Sequence, residues 1–439
     1  MLDPDEMSMS GAENGRRQLF RGRFKLPAAV RNFFILVGGA GAGQLVVVAV
    51  TPIVTRLVSP ADMGLFGTYT TLIAVLSVIV TLGFETAIIG ARHEDARALV
   101  GIASLLTGVF MLATTAIMLL LLATGLVRGL PEWMPWLIAL DTLFANAFVA
   151  AQYWYVRNHR YKRASLGAFS VNVGRGVTWI AGAAVMPGAV ALPFGSFAGR
   201  VIGLVVIDRL RVVPGALVQV IADPAAAWAT ALRYWKSAIF LMPSAALEVA
   251  SFWLPVLLSS ALYGVELGGQ VALVQRLLSA PLALLGRSLS DVYQVQITGH
   301  GTMVPERIVR ATVMVIGGTL GLAVPGWLVL YAFGTPIFAL VFGANWGPAG
   351  EVAVILAPLA AFQLCGNLIT RLLIEIGRQE VRLIAYLILV ASISINFSLA
   401  YYLQWGLLGT LTAISVASCI IFAAWIIASI TICYTLNKS

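Results

Sequence analysis

TPIVTRLVSPADMGLFGTYTTLIAVLSVIVTLGFETAII, residues 51–89, holds two apolar runs that meet at Ser59-Pro60. Proline suits a first helical turn and serine the cap before it, so the stretch predicts one helix stopping and another starting there. Gly64, one turn further on, permits close contact with a neighbouring helix. Together with the apolar residues before Thr51, each run reaches the roughly 20 residues that span a bilayer. The stretch therefore reads as a transmembrane hairpin.

Outward from this hairpin the same pattern repeats. Apolar runs of spanning length fall at about 33–54, 65–90, 99–124, 134–156, 165–187 and 190–208, then at 237–259, 265–286, 310–333, 350–374, 383–403 and 406–433. Twenty-one of the 28 Lys and Arg residues occupy every second gap, from Arg16, Arg17, Arg21, Arg23, Lys25 and Arg31 before the first run to Lys438 after the last. The opposite gaps hold only Arg56 and Arg128. Basic loops stay on the cytoplasmic side, so the expectation is an all-α polytopic membrane protein with twelve spans and both termini cytoplasmic. Composition agrees, with 60% hydrophobic and 11% charged residues against the roughly 25% charged of soluble domains.

The longest gap divides the spans into two groups of six. The expected organisation is a basic cytoplasmic segment over 1–32, a six-helix lobe over 33–208, a cytoplasmic linker over 209–236 and a second six-helix lobe over 237–434. The net charge of +9 is a topology signal directed at lipid heads, and a nucleic-acid partner is not expected. Cys365, Cys419 and Cys433 lie in expected spans, so no disulfide or metal framework is expected. His93, His159 and His300 sit in cytoplasmic loops with no ligand spacing or triad partner. Every outer loop is short. The chain is shaped for transport, not for bond-making chemistry.

Three stretches resemble one family. The hairpin above, through Pro52, Thr55, Arg56, Leu57, Ser59, Pro60, Gly64, Phe66 and Glu85, is similar to the opening hairpin of bacterial polysaccharide exporters. These include the Wzx-type O-antigen flippases of the multidrug/oligosaccharidyl-lipid/polysaccharide (MOP) exporter superfamily. GQVALVQRLLSAPLALLGRSLSDVY from Gly269 resembles the family's eighth helix through Arg276, Pro281 and Gly286. VFGANWGPAGEVAVILAP from Val341 resembles the outer turn into its tenth, through Phe342, Gly343, Trp346, Ala349, Gly350 and Pro358.

The resemblance implies a MATE-like fold of two six-helix lobes in the bacterial cytoplasmic membrane. It implies alternating access that flips an undecaprenyl-diphosphate-linked oligosaccharide for O-antigen, capsule or exopolysaccharide. The implied partners are the bilayer, that lipid-linked substrate, and the polymerase and glycosyltransferases of the same assembly line. A cation-coupled multidrug exporter of the same superfamily is an alternative, and a membrane glycan polymerase or ligase is one of another class.

Charge in hydrocarbon is costly, about 3 kcal/mol on insertion scales, so it faces a cavity or a partner. By position along their spans, Arg175, Arg200, Glu248 and Arg276 fall near mid-depth and Asp141 nearer the outer side. Arginine presents planar bidentate donors to phosphate. Arg175, Arg200 and Arg276 are therefore the candidate diphosphate ligands, with an Arg276–Glu248 ion pair as the structural alternative. Asp141 and Glu248 are the candidates for coupling to an H+ or Na+ gradient, and no other cofactor is expected. Arg56 is expected to anchor or cap the first outer turn, and Trp133, Trp136, Trp346 and Trp405 to sit at the outer interface.

Overall fold

The computed structural model describes residues 28–125, 130–209, 211–298, 305–375 and 379–436, all helix and connecting turn with no strand among them. In chain order the helices are α1 (Ala28–Leu57), α2 (Pro60–Val80), α3 (Phe84–Gly90), α4 (Asp95–Ala123), α5 (Met134–Arg157), α6 (Tyr161–Val185) and α7 (Gly188–Asp208). They continue with α8 (Val212–Ala222), α9 (Pro224–Tyr263), α10 (Val265–Thr298), α11 (Pro305–Phe342), α12 (Gly347–Glu375), α13 (Gln379–Leu403) and α14 (Leu407–Leu436).

Every expected apolar run is helical, that over 65–90 being divided between α2 and α3. Among the described residues, ten stretches are long and apolar enough to cross a membrane, or eleven if the bent pair α8 and Pro224–Trp235 is one span. The two expected runs outside the ten are those of α6, interrupted by Asn172 and Arg175, and α10, whose side chains are described mainly over 265–280. The chain is thus a multi-pass helical membrane protein.

Two expectations about boundaries change. The run over 65–90 is not one helix, because α2 ends at Val80 and the backbone turns through Leu82 (φ 50°) and Gly83 (φ 75°) before α3. The segment expected as a linker, 209–236, is largely helical. Asp208 accepts from the backbone N–H groups of Val212 and Val213 at 3.0 and 3.3 Å and so starts α8, which meets α9 at a bend of 107°. Of the expected N-terminal segment, residues 1–27 lie outside the described residues and 28–32 open α1.

The first hairpin forms as its sequence demands. Ser59 and Asp62 make a reciprocal capping box on α2, with Pro60 in its first turn. Helices α1 to α8 pack among themselves, chiefly α6 on α1 and α7, α5 on α4 and α7, and α8 on α4. Helices α9 to α14 form a second set, chiefly α12 on α10, α11 and α14, and α13 on α9 and α14.

The sets meet along α2, which lies against α9 and α10. Near the N-terminal ends of α2 and α10 their backbones touch: a Cβ added to Gly64 would overlap the Val265 carbonyl, and one added to Gly269 would overlap that of Pro60. Two hydrogen bonds tie the sets at the same end. Arg56 Nη2 donates to Leu340 O at 2.8 Å, and Trp346 Nε1 to Thr55 O at 2.9 Å. Trp346, 1% exposed, is therefore a buried latch and not an interfacial anchor. Its neighbour Arg56 caps carbonyls across the sets.

Candidate functional site

Glycine brings α6 and α7 together. Gly199 lies against Val171 O and the backbone of Arg175, and Gly195 leaves room for the side chains of Trp179 and Thr178, so the two helices approach closely there. Close approach of this kind is how packed membrane helices gain dispersion energy. It sets Arg175 of α6 beside Arg200 of α7.

Arg200 forms an ion pair with Asp141 of α5. Asp141 is fully buried and also accepts from Tyr69 Oη of α2 at 2.6 Å. Three helices thereby converge on one carboxylate. A buried carboxylate held by a guanidinium and a phenol is satisfied at Oδ2 and left without a donor at Oδ1.

Trp179, one turn after Arg175, organises the other half of the site. Its Nε1 donates to Leu192 O at 2.8 Å, which fixes the indole between α6 and α7. Phe66 of α2 stands edge-on to it, with centroids 5.6 Å apart. The Arg175 guanidinium lies 5.8 Å from the Trp179 ring centroid. Arg276 reaches the same indole from α10 at 4.3 Å and covers the Phe66 ring at 4.6 Å.

The three arginines expected from sequence therefore gather in one cluster with Asp141. Among the described residues neither Arg175 nor Arg276 has a carboxylate partner, and Arg175 Nε is buried with no acceptor. An aromatic face contributes about 0.5–2 kcal/mol to a cation, whereas removing an ion from water costs several. The cluster carries a positive charge that its own residues do not balance. Chemically it is prepared for an anion.

Glu248 lies elsewhere. It pairs with Arg382 of α13 and not with Arg276, beside Tyr386, whose ring Arg382 covers at 5.9 Å. Because α9 continues to Tyr263, Glu248 stands about 22 Å from that helix end at 1.5 Å per residue. Pro52 lies inside α1, and Ser59, Pro60 and Gly64 occupy the hairpin and helix contact already described. The Pro281 side chain lies outside the described residues. Trp136 is 57% exposed, as an interfacial residue would be.

Sequence reading missed Tyr69, Phe66, Trp179 and Arg382. Arg175 and Trp179 are spaced i, i+4, and Phe66 and Tyr69 i, i+3, so each pair shares a helix face. That spacing was the available signal. Among the described residues no cluster of three His, Cys, Asp or Glu side chains could hold a metal ion.

Residues 29–293 match a family model described as polysaccharide biosynthesis protein. No curated protein sequence matches the chain. An inward-facing multidrug-resistance MATE family transporter of the MOP superfamily superposes with a TM-score of 0.63 at 14% identity, over 92% of this chain and 95% of that one. The outward-facing conformation of such a transporter gives 0.63 and 14%, over 93% and 96%. A MOP superfamily transporter from Pyrococcus furiosus, described as having a binding pocket of reversed polarity that suggests a different function, gives 0.63 at 13%, over 93% and 96%.

Proposed function

The chain belongs to the family of polysaccharide biosynthesis proteins and has the fold of MOP-superfamily transporters; from that premise we propose that it flips an undecaprenyl-diphosphate-linked oligosaccharide across the cytoplasmic membrane. The glycan then enters surface polysaccharide assembly, as O-antigen, capsule or exopolysaccharide. It forms and breaks no covalent bond.

The observation that carries this reading is the pair Arg175 and Arg276, two guanidiniums on one indole with no carboxylate of their own. A diphosphate supplies the missing negative charge, and guanidinium donors match phosphate oxygens in pairs. Arg200 is the third ligand. It stays with Asp141 until substrate oxygens compete for its donors.

An acidic, aromatic pocket would instead favour cationic drugs. Here aromatic rings are present, but the one carboxylate beside them, Asp141, is already neutralised by Arg200. The Pyrococcus furiosus transporter, whose reversed pocket polarity is described as suggesting a different function, supports reading pocket sign in this way on this fold.

Basic loops on the cytoplasmic side orient the Gly64–Gly269 contact and the Arg56 and Trp346 bonds toward the outer face. In the proposed cycle this contact is the outer gate, which parts to release the substrate to the outer leaflet. If an H+ or Na+ gradient drives the cycle, Asp141 and Glu248 respond to it, each by leaving its arginine.

The test is leaflet exchange of a labelled undecaprenyl-diphosphate oligosaccharide in liposomes. Wild-type exchange that Arg175→Ala and Arg276→Ala lose while remaining folded supports the reading. Absence of exchange under every imposed gradient, with efflux of a cationic dye, would replace it with drug export.

A further inference from the structure

Away from the arginine cluster, the first turns of α10, α12 and α14 enclose a cavity of about 340 Å³, lined among others by Leu267, Gln270, Glu351 and Leu408. Gly406 and Gly409 line it too. The same two glycines line a second hollow of about 620 Å³ that follows α14 past Thr412, Val416 and Ile420, with Trp405 at its head. The two form one furrow, and a Cβ on either glycine would meet nothing within 4 Å. Its volume is that of a small-molecule site, roughly 300–1,000 Å³.

The polar end of this furrow offers acceptors. Gln270 is 3% exposed and donates through Nε2 to Asn345 O at 2.9 Å, which leaves Oε1 buried without a donor. Glu351 is exposed to the cavity and has no ion pair among the described residues. Beside these acceptors the first-turn N–H groups of α14, at Leu407, Leu408 and Gly409, have no intrahelical carbonyl, as at any helix start, and such groups favour phosphate. Below them the lining is apolar and narrow-sided: Gly409, Ala413 and Ala417 form the floor, with Val416 and Ile420 54% and 63% exposed at its edge.

An occupant must therefore carry N–H donors with positive charge, an adjacent phosphate, and an apolar chain. We propose that the furrow binds a phospholipid with a primary ammonium headgroup, of the phosphatidylethanolamine type. The ammonium lies on Gln270 Oε1 and Glu351, the phosphate at the start of α14, and an acyl chain along the small-residue face of that helix. The assignment is independent of what the arginine cluster carries.

Phosphatidylcholine shares the charge, phosphate and tails but has no N–H, and phosphatidylglycerol has donors but no cation. Native mass spectrometry of the purified protein with each of the three lipids separates these cases. Phosphatidylethanolamine is expected to bind about tenfold more tightly than phosphatidylcholine, the value of one hydrogen bond to a charged group. Glu351→Gln, which removes the charge, should abolish that preference, and Gly409→Leu, which fills the floor, should weaken retention of both lipids, while the lipid-free unfolding midpoint of each variant stays at the wild-type value. Equal retention of phosphatidylethanolamine and phosphatidylcholine by the wild type overturns the proposal. So does full preference surviving in Glu351→Gln, or undiminished retention of both lipids by Gly409→Leu.

Discussion

Arg175 and Arg276 come from opposite helix sets and stack on one indole, with guanidinium carbons 5.8 and 4.3 Å from the centroid of Trp179. The join between the sets is therefore also the place where like charges are held near each other. Such an arrangement is unfavourable on its own and becomes favourable when an anion enters.

Inorganic diphosphate is accordingly expected to raise the unfolding midpoint of the wild type, since a ligand bound only by the folded state stabilises it by mass action. Arg276→Met should lose this effect. Its own midpoint without ligand should equal or exceed the wild type's, because an unbalanced buried charge is replaced by an apolar chain of similar length. A diphosphate-induced shift unchanged in Arg276→Met would remove Arg276 from the site. Differential scanning fluorimetry in detergent measures both.

Asp141 presents the opposite case. Asp141→Asn leaves Arg200 without its counter-ion in a buried setting, a loss of about 3 kcal/mol or more. Tyr69→Phe removes one hydrogen bond to a charged group, about 1.5–3 kcal/mol. Adding Arg200→Gln to Asp141→Asn should recover part of the first loss, so a double-mutant cycle gives a coupling well above zero. Additive effects would mean that the pair contributes nothing to stability.

Glu248 and Arg382 form a wetter pair, with side chains 32% and 15% exposed. Because this pair is less buried than Asp141 and Arg200, Glu248→Gln should lower the unfolding midpoint less than Asp141→Asn. Exchanging the charges with Arg382 should restore stability, and exchanging them with Arg276 should not. Restoration by the Arg276 exchange would place Glu248 in the central cluster.

Hydropathy and basic-loop alternation made the long helices legible, because both report on one dominant cost, that of taking polar groups out of water. The same cost singled out Arg175, Arg200 and Arg276. Their partners were not legible, since pairing depends on helix rotation and depth. Nothing in the chain order says that Asp141 faces Arg200 across α5 and α7, or that Glu248 meets Arg382 of α13 in place of Arg276 of α10. Trp346 looked interfacial from its position in a short outer loop, yet the Thr55 carbonyl near the end of α1 draws its indole inside. The break at Leu82 and Gly83 went unseen because a single glycine in a mainly apolar run does not by itself mark a helix end. The helical form of the linker over 209–236 depends on Asp208 at the start of α8 and Asp223 at the start of α9, caps that hydropathy does not register.

The contact between α2 and α10 gives the last prediction. Gly64 and Gly269 allow their helices to meet backbone to backbone, and Trp346 adds a hydrogen bond across the sets. A leucine at 64 has no room in the closed arrangement, so Gly64→Leu should shift the population toward separation at this end. Trp346→Phe keeps most of the packing and deletes one hydrogen bond of about 0.5–1.5 kcal/mol, a change of roughly twofold to tenfold in the closed-to-open ratio. Spin labels at Leu57 and Leu340, 49% and 77% exposed on opposite sets, report the separation by pulsed dipolar spectroscopy. The short-distance population should dominate in the wild type, fall partly in Trp346→Phe and nearly vanish in Gly64→Leu. An unchanged distribution in Gly64→Leu would mean that this contact does not govern closure, and that the hold between the sets lies deeper, at Phe66, Trp179 and Arg276.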